Sequence, residues 1–197
     1  MITLFKEFEY WSDFIKLNKI ERSFKLKTNQ MIKAALMAAL TAVGAFIIFP
    51  IGPVPITLQT FFVLLSGRLL GKKYGVLAQV TYLLLGAFGL PIFSGGQGGL
   101  GVIAGPTGGF LISFVTAAWI AAHCSGENKK DFLVLSAAVL SNYIIGSIYF
   151  SFITGTGLIA SLNMTVIPFI PGDLIKIVLV LILAPVIEKR IALNNKI

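Results

Sequence analysis

Charge falls in only every second gap of a long series of apolar runs, and that alternation constrains the fold of this chain more than any motif does. Six apolar segments follow one another from Met31, at about 31–49, 57–71, 74–90, 107–124, 131–154 and 168–187. Breakers part them: Pro50 to Pro55, Gly71 with Lys72 and Lys73, Pro91 through Pro106, Ser125 to Lys130, and Gly155 to Pro168. The first, third and fifth gaps hold no charge. The second, with the helix end before it, holds Arg68, Lys72 and Lys73, the fourth, with the helix start after it, Glu127, Lys129, Lys130 and Asp131, and Glu188, Lys189, Arg190 and Lys196 follow the last segment. Loops rich in Lys and Arg stay in the cytoplasm. The pattern therefore predicts an all-α bundle of six transmembrane helices with cytoplasmic N- and C-termini and three uncharged external loops. A closed barrel would need short alternating strands with polar lumen positions. These segments are apolar on every face, which suits helices. The second is short for a full span, which demands helical flanks or a thin bilayer.

Composition agrees. Of the 197 residues 56% are hydrophobic and 12% charged, with a mean hydropathy of +0.90. A soluble domain carries about 25% charged residues, so a soluble globular fold is excluded, as is disorder. The net charge of +8 resides on the cytoplasmic side of this topology, so it reads as a topology signal and not as a nucleic-acid footprint. Cys124 is the one cysteine, so no internal disulfide forms. No small-residue cleavage site follows the first apolar run, so no cleavable signal is expected.

The chain divides into residues 1–30, the membrane domain 31–190 and a cytoplasmic tail 191–197. The first stretch interleaves charges with Leu4, Phe8, Trp11 and Ile15 at helical spacing. It reads as an amphipathic surface helix or as a tail.

Two charges break the map. Asp173 and Lys176 lie near the start of the last segment, in Pro171-Gly172-Asp173-Leu174-Ile175-Lys176, at its outer end. A charge inside a span costs at least about 2.5–3.5 kcal/mol on insertion scales and points to function by default. Their spacing of three puts both on one helix face. They form either a helix cap with a self-cancelling ion pair or a recognition site. In the second case Lys176 holds an anionic group and Asp173 accepts N–H donors. The ligand is then small, with a carboxylate and N–H groups.

Two external loops converge on the same side. Residues 93–109 are rich in glycine, among them Gly95, Gly96, Gly98, Gly99 and Gly101, with Gln97 mid-run. No Gly-Lys-Ser/Thr follows, so this is no phosphate loop of an ATPase. Glycines let a backbone approach a ligand closely, and Gln97 offers a donor and an acceptor. The run reads as a connector or as a lid over a bundle mouth. In the first loop Pro50, Pro53 and Pro55 stiffen the approach to Thr57 and Gln59. Elsewhere, Ala34, Ala38 and Ala42, flanked by Ala35 and Ala39, form a small-residue row in segment 1. It serves packing within the bundle or docking of another membrane subunit. His123, the one histidine, sits at the opposite end from Asp173 and reads as structural. No metal-ligand spacing and no nucleophile–base pair appear, so catalysis is not expected.

Val54-Pro55-Ile56-Thr57-Leu58-Gln59-Thr60, Gly67-Arg68-Leu69-Leu70-Gly71, Gly89 through Gly99, Gly105-Pro106-Thr107-Gly108-Gly109-Phe110 and the Asp173 run together resemble the BioY family, in order and spacing, over about residues 31–190. The resemblance implies the substrate-binding (S) component of an energy-coupling factor (ECF) transporter for biotin in the bacterial plasma membrane. It implies an external biotin pocket and no cofactor. It also implies partners: a transmembrane coupling (T) component, met by the Ala34, Ala38 and Ala42 row, and two ABC-type ATPases. Asp173 and Lys176 become ligand residues. Biotin's carboxylate suits Lys176 and its ureido N–H groups suit Asp173, unless Lys176 chiefly orients Asp173. Gln97, Gly96, Gly98, Gln59 and Thr57 are further candidates, with Phe93 and Tyr149 packing on the bicyclic ring. Another small vitamin or carboxylate is the alternative ligand.

Overall fold

Helix formation here follows from apolar runs that must satisfy their own backbone, and the breaks follow from Gly and Pro. The structure is a computed structural model that describes residues 27–49 and 54–194. The amphipathic stretch at 1–26 and the end of the tail at 195–197 lie outside the described residues. Helix α1 is Lys27–Phe46, so it starts ahead of the apolar run at Met31. A two-residue antiparallel ladder follows, β1 (Ile48–Phe49) with β2 (Ile56–Thr57), in register Ile48 with Thr57 and Phe49 with Ile56. An all-helical reading has no place for it. Its β-branched residues, Ile48 on one strand and Ile56 and Thr57 on the other, favour the extended backbone.

Helix α2 spans Gln59–Ala87 and is broken at Gly71, where φ is 72° and ψ is −177°. Only glycine takes that backbone without strain. Across the break the two arms fold against each other almost backbone to backbone. A Cβ on Gly75 would stand 2.8 Å from the Gly67 Cα. Helices α3 (Leu100–Ile103), α4 (Gly108–Ala121) and α5 (Asn128–Thr154) come next. Then α6 (Leu158–Thr165) occupies a stretch that charge and Pro/Gly content mark as loop, and α7 (Ile170–Asn194) closes the chain. Helix α6 exists because Ser161 and Thr165 bury against α5, with Ser147 and Thr165 hydroxyls 2.9 Å apart.

Helix α4 lies at the centre, packed most extensively on α2 and α5. Small residues make this possible: a Cβ on Gly67 would collide with the Ala118 carbonyl, and Ala117, Ala118 and Ala121 are fully buried. Large apolar side chains point outward instead. Leu133, Ile148, Phe152 and Ile175 are all exposed, as a lipid-facing surface requires. Lys27–Phe46, Asn128–Thr154 and Leu158–Arg190 are each long and apolar enough to cross a membrane.

The alanine row of α1 needs a correction. Ala34 and Ala38 are buried in the chain's own core, and Ala42 is half-buried. They share the inward face with Met37, Thr41 and Ala45. Thr41 Oγ1 accepts a bond of 3.4 Å from Gln79 Nε2, and Gly44 sits against Phe62 and the Leu58–Gln59 backbone. The small residues thus let α1 approach α2. Ala35 and Ala39, together with Ile32, Leu36 and Val43, face outward.

Candidate functional site

Asp173 and Lys176 lie one turn apart at the start of α7, 3% and 5% exposed. Lys176 Nζ donates to Asp173 Oδ1 at 2.7 Å and to Thr60 Oγ1 at 2.9 Å. Tyr143 on α5 donates its hydroxyl to Asp173 Oδ2 at 2.6 Å. Two buried charges with such close partners neutralise one another, and the added hydrogen bonds offset part of the cost of taking them out of water. The cluster ties α2, α5 and α7 together at one end of the bundle. Sequence reasoning missed Tyr143 and Thr60. The signal available for Thr60 was its place next to Gln59 in the motif.

Beside this cluster lies a cavity of about 350 Å³, within the range of small-molecule sites. Asp173 lines it; Lys176 stands behind Asp173. Of the sequence candidates, Thr57, Gln59 and Gln97 line it too, as does Phe93. Aromatic walls come from Phe110, Phe114 and Phe169, with Phe110 and Phe169 rings stacked at 6.3 Å. Asp173 is the one charged residue among these lining groups.

The polar wall has a fixed donor order. Tyr82 donates its hydroxyl to the Ile92 carbonyl at 3.0 Å, so it accepts from Gln59 Nε2. Gln59 Oε1 must then accept from Thr57 Oγ1, at 2.7 Å. This chain runs from the β2 end through α2 to the glycine loop. It holds both residues in place before any ligand arrives.

The glycine loop is a built element. Phe93 is buried and meets Tyr82 edge to face at 5.6 Å. Phe93 N–H donates to the Gln97 carbonyl at 2.9 Å, and Gly99 N–H to the Gly86 carbonyl at 2.7 Å. Gly95, Gly96 and Gly99 have φ of 75°, 70° and 94°, a region that a side chain would strain. Gly96 and Gly98 do not line the cavity. Gly96 faces Phe46, and Gly98 lies directly on the Leu90 carbonyl, where any Cβ would collide. Their role is to shape the loop. Tyr149 is likewise not among the lining residues. Its hydroxyl donates to the Ile103 carbonyl at 2.9 Å and its ring packs on Gly109, which steadies the entry to α4. Among the described residues no group of three His, Cys, Asp or Glu side chains gathers to hold a metal.

The opposite end of the bundle carries a second charged cluster. Arg68 bonds Asp131 at 3.2 Å and Glu188 at 2.5 Å. His123 rests there with its ring on Trp119 and its Nδ1 near the Trp119 and Ile120 carbonyls.

An apolar helical bundle enclosing a polar-floored cavity at one end is the architecture of a membrane-embedded substrate-binding subunit. The fold is similar to the crystal structure of the S-component for biotin from an ECF-type ABC transporter. The TM-score is 0.78 at 30% identity, over 84% of this chain and 93% of that one. The BioY family model matches residues 18–193, and the chain belongs to that family. It is 42% identical to the biotin transporter BioY of Thermotoga maritima over 81% of this chain and 96% of that protein. To the probable biotin transporter of Pyrococcus horikoshii it is again 42% identical, with the same coverage. To that of Bacillus subtilis it is 35% identical over 86% and 96%.

Proposed function

We propose that this chain is the biotin-binding S component of an ECF transporter: it captures biotin in the cavity beside Asp173 and hands it to an ATP-driven complex. The observation that carries this reading is the buried, self-neutralised Asp173–Lys176 pair opening onto a cavity lined by the family's own motifs. A membrane span keeps such a pair only where it repays its cost. Asp173 accepts ureido N–H donors. Lys176 holds Asp173 in position, since its Nζ is already bonded to Asp173 and Thr60. The aromatic walls take the bicyclic ring, and the valerate tail runs toward Ser94–Gln97, away from the carboxylate of Asp173.

In this reading α1, the two arms of α2, α4, α5 and α7 make six crossings, with both termini in the cytoplasm and the cavity facing outward. The partners are a T component and two ABC-type ATPases in the plasma membrane. A partner meeting α1 reaches Ala35 and Ala39, because Ala34 and Ala38 are turned inward.

Labelled biotin and purified protein test the site. Wild type binds, Asp173→Asn loses at least 100-fold in affinity, and Lys176→Ala at least 10-fold. Wild-type affinity in both variants would overturn the site assignment. A competition panel of other vitamins and carboxylates that displaced biotin equally well would favour the broader ligand class.

A further inference from the structure

A polar side chain on the cavity wall, in mid-helix, belongs neither to the charged pair nor to the loop. Asn142 lies near the middle of α5, about 18 Å along the helix from Thr154 at 1.5 Å per residue. It is 4% exposed and lines the cavity. Its Nδ2 donates to the Phe110 carbonyl at 3.1 Å and to Ser113 Oγ at 2.5 Å, both on α4. Ser113 spends its own hydrogen on the Phe110 carbonyl, at 2.7 Å. It can therefore only accept from Asn142. Both amide hydrogens are thus committed to α4, and the orientation of the amide is fixed.

The consequence concerns Oδ1. It is an amide oxygen with two lone pairs, on a buried side chain, and no donor among the described residues reaches it. It is open to the cavity, not sealed in packing, so it can accept from whatever fills that space. Packing alone does not call for an amide here, since Leu135, Ala138 and Val139 on the same helix are apolar and buried. The next residue, Tyr143, holds Asp173 Oδ2. Adjacent residues of α5 thus set up two acceptors on one cavity, Asn142 directly and the Asp173 carboxylate through Tyr143.

We infer that Asn142 determines specificity: its Oδ1 accepts one N–H of a ligand that carries two N–H donors flanking a carbonyl, a cyclic urea, while Asp173 accepts the other. This rests on the biotin reading and adds to it the reason for choosing a urea over a ring with a single N–H. A merely structural Asn142 would tie α5 to α4 and have no preference among ligands.

The test pairs protein and ligand changes. The ligands are biotin and its two cyclic carbamate analogues, in which one ring N–H or the other is replaced by oxygen. Wild type is expected to bind each carbamate at least 10-fold more weakly than biotin. Asn142→Ala is expected to bind biotin at least 10-fold more weakly and to lose its discrimination against one carbamate only, keeping it against the other. A folded Asn142→Ala that binds biotin within 2-fold of wild type, or that still rejects both carbamates, overturns the inference. Asn142→Leu, which refills the volume, replaces it if the alanine variant does not fold. If neither folds, wild type decides: a carbamate that binds as well as biotin shows that one acceptor suffices, and the inference fails. Loss of biotin binding in Asp173→Asn with none in Asn142→Ala overturns this inference alone. A wild type with no affinity for biotin overturns it together with the function it rests on.

Discussion

Arg68→Ala should weaken the bundle severely while leaving the ligand cavity untouched. Arg68 closes the first arm of α2, and its guanidinium reaches two carboxylates. Asp131 is 2% exposed and accepts Arg68 Nε at 3.2 Å; the Glu188 side chain is 44% exposed. The two bonds differ greatly in weight. Removing one partner of a buried pair costs about 3–5 kcal/mol. Asp131 keeps the Ser125 and Gly126 backbone donors, at 2.6 and 3.1 Å, which places the loss near ~3 kcal/mol, at the low end of that range. An exposed pair contributes about 0–1 kcal/mol, so Glu188→Ala should cost under ~1 kcal/mol.

Thermal unfolding of the detergent-solubilised protein measures this. For a chain of this size ~1 kcal/mol moves Tm by about 2–4 °C. Arg68→Ala should then lower Tm by roughly 6–12 °C and Glu188→Ala by at most ~4 °C. Biotin affinity, read on the same folded samples, should stay within 2-fold in both, because the cavity lies at the other end of α2, lined by Gln59 and Thr60. Equal Tm shifts in the two variants would refute the reasoning, since burial would not then be setting the weight of each bond. A large loss of affinity in folded Arg68→Ala would refute the separation of the two ends.

Two further perturbations probe the packing around these sites. Gly86→Ala would put a Cβ into the Phe93 ring. Overpacking of this kind costs about 1–3 kcal/mol, and because Phe93 is a cavity wall, biotin affinity should fall in parallel with Tm; unchanged affinity would show that Phe93 does not shape the site. Burial first, and the Asp131 carboxylate second, push the Cys124 thiol up to about 12. Raising the value depletes the thiolate at neutral pH, so at pH 8 its fraction falls by about 1,000-fold from an ordinary thiol. Maleimide labelling should be slow in folded protein, climb with pH well past 9, and become fast in denaturant; equal folded and denatured rates would contradict the half-buried placement beside Asp131.

How much of this could be read in advance depends on how costly each residue is in an apolar run. Asp173 and Lys176 were legible because an ion in a span has no inexpensive structural excuse. Thr57, Gln59 and Gln97 were legible through motif and loop position. Asn142 and Tyr143 were not, because a lone amide and a phenol in an apolar helix attract little notice, and what makes them matter is proximity to α4 and α7. The signal existed all the same: an uncharged amide in a span also demands a partner. Gly96 and Gly98 were assigned to the ligand from their freedom of approach, yet that freedom serves the loop's own turns and the Leu90 carbonyl. The phase of α1 was ambiguous since Ala34/Ala38 and Ala35/Ala39 share one spacing. Thr41 resolves it. A hydroxyl in an apolar helix turns toward protein, and Ala34, Met37, Ala38, Thr41 and Ala45 fall on its face.

Two carboxylates of this chain are almost equally buried, and their donor sets separate structure from function. Asp131 is met by Arg68, by the backbone N–H groups of Ser125 and Gly126, and at 3.5 Å by the Ser125 hydroxyl. Gly126, at φ 91°, turns its N–H onto both carboxylate oxygens. A carboxylate offers about four lone-pair sites, so Asp131 has none to spare. Among the described residues Asp173 has close donors only in Lys176 and Tyr143, with Thr60 at a long 3.4 Å. It keeps capacity on the side that opens onto the cavity. Burial and charge alone would rank the two residues together. Counting donors against lone pairs marks Asp131 as a clamp and leaves Asp173 the capacity that the proposed receptor role needs, and it is the same count, applied to an uncharged amide, that singles out Asn142.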